Sequence, residues 1–143
     1  MGVVIEIVRE ASDEVVAAFE RLLPQLSTRA APDREVVERV VGFEGNTVLA
    51  ARVEGAVVGL LTLVAIPLGT GLWARIEDVV VDEAARGRGV GAALTERAVE
   101  LARERGARTI ELTSRPERVA AHRLYERAGF RRWETAVYRL NLS

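Results

Sequence analysis

Between Arg86 and Gly91 the chain reads Arg-Gly-Arg-Gly-Val-Gly, three glycines within five residues interleaved with two arginines and followed by a helical repeat. Glycines let a backbone turn so that successive N–H groups, together with a helix N-terminus, converge on one anion. The stretch reads as a phosphate cradle, with a plain glycine-rich turn between strand and helix as the alternative. It lacks the glycine spacing and the following acidic residue of a dinucleotide fingerprint. Groups able to move protons lie on either side. Glu77 and Asp78 fall in a strand-like run, where alternation sends them to opposite faces unless a bulge intervenes. Asp82 reads as a strand terminator or turn cap. His122 and Tyr125, three residues apart, share part of a helix face.

Composition removes many competing chemistries. The 143 residues contain no cysteine, which excludes disulfides, thiolate nucleophiles, a covalent thioester relay and cysteine-rich metal sites. One histidine excludes sites built from several imidazoles, so no metal is expected. All twenty basic residues are arginine, against twenty-one acids. Without lysine there is no Schiff base and no Walker A loop. Residues 1–71 hold 6 arginines and 10 acids, whereas residues 72–143 hold 14 and 11, so an anionic ligand suits the second half. Arg131 and Arg132 make only a short basic patch without interleaved aromatics, and no nucleic-acid partner is expected.

The elements that must position these groups follow from periodicity. Val3 to Val8 alternates like an edge strand. Ser12 or Asp13 caps a helix with apolar Val15, Val16, Phe19, Leu22, Leu23 and Leu26, broken by the segment Pro24 to Pro32. Asp33 opens a shorter helix ending at Gly42. Thr47 to Val53 and Val57 to Ile66 form a hairpin around Glu54-Gly55, and Leu72 to Val81 is a further strand. A helix of about four turns starts at Gly89 and stops at Gly106. Thr109 to Thr113 is a short strand, Pro116 to Ala128 a helix ended by Gly129, and Arg132 to Leu142 a last strand or tight hairpin. The order is β-α-α-β-β-β-α-β-α-β, with a parallel crossover from Leu72 to Thr113. No run reaches the length of a membrane span and no export signal precedes Val3, so cytoplasmic residence is the default expectation. The length suits one domain.

This pattern resembles the GNAT superfamily of acetyl-CoA-dependent N-acetyltransferases along nearly the whole chain. The family's loop of Arg or Gln, two residues, Gly, one residue, Gly is met by Arg86, Gly89 and Gly91. Its late signature is met by Leu124, Tyr125, Glu126, Gly129 and Phe130. The resemblance implies a single α/β domain, 1–143, with a mixed, mostly antiparallel sheet of about six or seven strands and about four helices on its faces. It implies acetyl-CoA as cosubstrate, with no metal. The loop residues Arg86, Gly87, Arg88, Gly89, Val90, Gly91 and Ala92 would hold the pyrophosphate, and Val79, Val80 and Val81 would pair with the pantetheine arm where the strands flanking the long helix splay apart.

By the same resemblance the reaction is direct attack of a primary amine in a ternary complex, with Tyr125 as acid and Glu77 as base, often through water. A packing role for Tyr125 and a structural role for Glu77 are the rivals. Where relatives often carry an asparagine, this chain has Ser114-Arg115-Pro116-Glu117. Ser114 could cap the helix or reach the pantetheine arm, and Arg115 or Arg123 could meet phosphate. Trp73 and Trp133 read as acceptor-pocket linings or as packing and subunit-contact aromatics. His122 reads mainly as a surface or hydrogen-bonding residue. The acceptor is a small-molecule or peptide amine, and a homodimer through the final strand or the valine-rich surfaces is a further expectation. Two other classes stay open: a non-catalytic acyl-CoA-binding sensor or interaction module, and an enzyme for another phosphate-bearing ligand such as ATP or NAD.

Overall fold

A computed structural model describes residues 2–143. After β1 (Val3–Val8), the Ser12 hydroxyl accepts from the Val15 N–H at 3.3 Å and starts α1 (Asp13–Leu26), with Asp13 and Glu14 at its positive end. Pro24 lies inside the last turn of α1 rather than breaking it. Proline there removes a single backbone donor, and the Ser27 N–H still closes on the Leu23 carbonyl at 3.0 Å. Asp33 caps α2 (Arg34–Gly42) by accepting from the Val36 N–H at 2.9 Å. The hairpin of β2 (Asn46–Val53) and β3 (Ala56–Leu68) turns at Glu54 and Gly55, both with positive φ. Then come β4 (Gly71–Val81), α3 (Val90–Glu104), β5 (Thr109–Glu111) and α4 (Val119–Arg127).

The strands lie in chain order. The pairs from β1 to β4 are antiparallel, and β4–β5 is parallel. Alternation divides the sheet's side chains between two cores. Val48, Ala50, Leu60 and Val80 pack with Val15, Phe19, Leu22 and Val37 under α1 and α2. Leu49, Ala51, Leu61, Leu63 and Ile76 pack with Val90, Leu94 and Ala98 of α3. Gly59 lets α3 approach, since a Cβ there would lie 3.0 Å from Val90 and 3.1 Å from Leu94. No helix among the described residues is long and apolar enough to cross a membrane.

Three expectations need correction. Among the described residues the sheet has five strands, not six or seven, because 131–143 carries no strand and every residue in it is exposed. Its alternating sequence is strand-like, but a strand needs a partner edge. Next, β5 ends at Glu111 rather than Thr113, where its pairing with β4 stops. Finally, α4 begins at Val119 rather than Pro116. Pro116 and Glu117 form a turn, in which the Arg118 N–H donates to the Arg115 carbonyl at 3.1 Å.

Candidate active site

The parallel pairing of β4 and β5 runs only from Trp73 opposite Thr109 to Arg75 opposite Glu111. From Ile76 to Val81, β4 continues with no strand on that side, so the sheet opens as a wedge. Toward β3 the pairing is kept, but the register shifts between Leu60 and Thr62, leaving one extra residue on β4. Asp78 absorbs it with φ +49°, a left-handed angle that aspartate tolerates better than most residues. The bulge resets the alternation. Ile76 faces the α3 core before it, Val79 and Val81 do so after it, and Val80 turns to the α1 side. The run of three valines after Glu77-Asp78 breaks strict alternation and was the available signal for this feature.

At the mouth of the wedge, Arg75 donates to Glu77 at 3.0 Å and to Glu111 at 3.4 Å, which ties β4 to the end of β5. Asp78 is not in that ion-pair group. Its crowded position, and secondarily the Glu77 charge, push its carboxyl above the usual carboxylate range. Sequence reasoning named Glu77 and passed over both Arg75 and the perturbed Asp78.

Beyond Val81, the Asp82 side chain accepts from the Ala84 N–H at 3.2 Å and caps the short helical turn Glu83–Ala85. Gly87 and Gly89 follow with φ +82° and +78°, and a Cβ on either would meet nothing within 4 Å. These two glycines serve backbone direction over open space. Both arginines of the loop are exposed. Whereas α1 and α2 start with side-chain caps and acids in the first turn, α3 starts at Gly89 with neither. Its first N–H groups are therefore donors at a positive helix end with no side-chain acceptor, the arrangement that favours an anion.

Gly91 has a different job. A Cβ there would stand 3.1 Å from Leu124 Cδ1 of α4 and 3.8 Å from Val81 Cγ2 of β4. The end of β4, the first turn of α3 and the middle of α4 thus meet at one glycine, which sets Tyr125, the next residue after Leu124, beside the cradle. Its ring packs edge-on to Phe130 with centroids 6.0 Å apart. Burial pushes the Tyr125 phenol above its usual range, with the Arg118 charge opposing. A groove of about 520 Å³ continues from Ala92 between α3 and α4, past Glu96, Arg103 and Arg127.

Ser114 does not cap α4, whose N-cap is Arg118. Its Oγ is buried without a hydrogen-bond partner, an orphaned group in the segment that joins β5 to α4. His122 Nε2 lies 2.8 Å from the Arg115 carbonyl and ties that segment to α4, consistent with a hydrogen-bonding role. The structure does not gather the two tryptophans at the wedge. Trp73 donates to Thr70 Oγ1 at 3.2 Å at the closed end of the β4–β5 pairing, and Trp133 is 76% exposed. No group of three or more His, Cys, Asp or Glu side chains able to hold a metal occurs among the described residues.

Residues 11–130 match the Acetyltransferase (GNAT) family. A segment covering 40% of this chain is 44% identical to an uncharacterized N-acetyltransferase of Methanocaldococcus jannaschii, spanning 25% of that protein. Another, covering 43% of the chain, is 45% identical to a probable glucosamine 6-phosphate N-acetyltransferase of Oryza sativa, spanning 36% of it. The matched segments thus amount to about a quarter and a third of these relatives' lengths. A Trypanosoma brucei acetyltransferase superposes with a TM-score of 0.80 at 28% identity, over 99% of this chain and 100% of that one.

Proposed function

The chain belongs to the acetyltransferase (GNAT) family, and on that premise we propose that residues 1–143 form one domain that moves an acetyl group from acetyl-CoA to a primary amine by direct attack. The observation that carries this reading is the convergence at Gly91, where an uncapped helix start, a bare strand edge and a buried phenol meet. The residues present fit the cosubstrate. The open loop from Arg86 to Ala92 would hold its pyrophosphate, the bare edge at Val79, Val80 and Val81 its amide-bearing arm, and the orphaned Ser114 Oγ one of its polar groups. When bound, acetyl-CoA supplies an acyl carbon carrying a thiolate leaving group.

The chain's own residues handle the protons. Tyr125, kept neutral by burial, donates its phenolic proton to the departing sulfur. Glu77, anchored by Arg75, accepts the proton of the attacking amine through water. A second reading gives that base role to Asp78, favoured by its raised pKa, which makes it the stronger base of an adjacent pair. Amino-sugar phosphates head the acceptor screen, on the name of the Oryza sativa relative.

The test is calorimetry with acetyl-CoA, CoA, ATP and NAD, followed by an amine screen read as release of free thiol. The protein contributes no background to that readout because it has no cysteine. CoA-selective binding with amine-dependent thiol release is the expected result. Preference for ATP or NAD overturns the reading, and tight CoA binding without turnover on any amine would favour the sensor class instead.

A further inference from the structure

We propose that two copies of this chain exchange their 131–143 segments, each laying its segment along the free edge of the other's β5. Two independent observations point there. The first is an edge without a neighbour. β5 is the last strand of the sheet and has only three residues in register with β4. Around it, Ile110, Leu112 and Phe130 are only partly buried on the α3 core, and α4 buries none of its residues, with Val119 56% exposed. An open edge with an apolar flank is a template for another strand.

The second observation is a strand without an edge. Tyr138, Leu140 and Leu142 alternate along one side of the 131–143 segment and Arg139 and Asn141 along the other, the period-two pattern of a half-buried strand. Yet Tyr138 is 95%, Leu140 83% and Leu142 91% exposed. Five of the eleven large exposed apolar residues lie in this segment, so the exposure is concentrated and not a general property of the surface.

The occupant that fits is a second copy. In one chain the segment leaves α4 after Phe130, whose N–H is fixed to the Tyr125 carbonyl at 3.0 Å, and runs on fully exposed while the β5 edge stays bare. A twofold pair satisfies both needs at once and reciprocally, since each chain offers one edge and one strand. Arm exchange is independent of which amine is acetylated, and its test uses no turnover.

The absence of cysteine makes the test direct. Two full-length chains with tags of different size are co-expressed, one carrying Thr109→Cys on the β5 edge and the other Leu140→Cys, and treated with a short bifunctional maleimide. Exchange predicts twice the chain mass by light scattering and a cross-link between the two differently tagged chains. It also predicts that Leu140→Asp raises the dimer dissociation constant by tenfold or more while the circular dichroism spectrum is retained. A monomeric mass overturns the proposal. So does a cross-link found only within a Thr109→Cys/Leu140→Cys double variant, which would mean that each arm covers its own edge. A dimer that persists in Leu140→Asp without the inter-chain cross-link also overturns it, because the interface would then lie elsewhere.

Discussion

Asp78 holds a left-handed backbone angle in mid-strand, and its carboxyl titrates above its usual range near 3.8. Between the unfolded and the folded pKa the native state binds more protons than the unfolded one, so stability falls as pH rises through that window, and the full penalty stands at neutral pH. Asp78→Asn removes the charge and keeps a residue that accepts the same φ. The expected result is a higher Tm than the parent at pH 7, with the difference vanishing well below pH 3.8. A lower Tm at pH 7 would refute the crowding argument. For Tyr125 the sign runs toward alkali. A phenol held neutral past pH 10 keeps an acid available over the whole working range. Tyr125→Phe is expected to lower kcat by about 100-fold with little change in the amine KM, read by steady-state kinetics once an acceptor is in hand. Glu77→Gln and Asp78→Asn separate the two base assignments: the variant that abolishes the acidic limb of the pH–rate profile identifies the base.

The junction of α3 with α4 depends on a missing side chain, whereas the cradle loop depends on a backbone angle. Gly91→Ala pushes a methyl toward Leu124, so Gly91→Ala with Leu124→Ala should be less destabilised than the two single losses added together, by about 1 kcal/mol in denaturant melts. Gly89→Ala meets open space but strains a φ of +78°, at about 1–2 kcal/mol, and Leu124→Ala should not relieve it. Additive effects for the first pair would reject the packing argument. The same contrast separates what the chain shows locally from what it conceals. Ser12, Asp33, Glu54-Gly55, Gly89 and Gly106 act within a few residues of themselves, and each boundary they signal is present. Pro116 suits a first helical turn and an ordinary turn equally well, and the hold of His122 on Arg115 accompanies the turn at this place. For the site, the glycine loop and Tyr125 were legible as motifs. Their meeting at Gly91, the linkage of Arg75 to Glu111 and the orphaned Ser114 hydroxyl arise between distant segments, which no local pattern reports.

Across the whole molecule the sheet has a fastened side and an open one. On the β1–β2 side, Arg52 donates to Glu14 at 2.6 and 2.8 Å and to Glu6 at 3.0 Å, tying two strands to α1. The Arg52 charge holds the Glu14 carboxyl below its usual range, a contribution present at neutral pH and lost as pH falls through the lowered pKa. Toward β5 the framework has room for a ligand to contribute. CoA at a hundredfold excess over its Kd should stabilise the fold by about 2.7 kcal/mol, a Tm rise of roughly 5–10 °C, while ATP and NAD produce none. Equal shifts from all three would point to a general nucleotide site. The bare edge from Ile76 to Val81 has one further consequence. Amides with no strand beside them trade hydrogen for deuterium through small local openings, and a molecule lying along them slows that trade without any reaction taking place. Occupancy of this protein is therefore expected to be readable peptide by peptide, in heavy water, from a stretch of six residues.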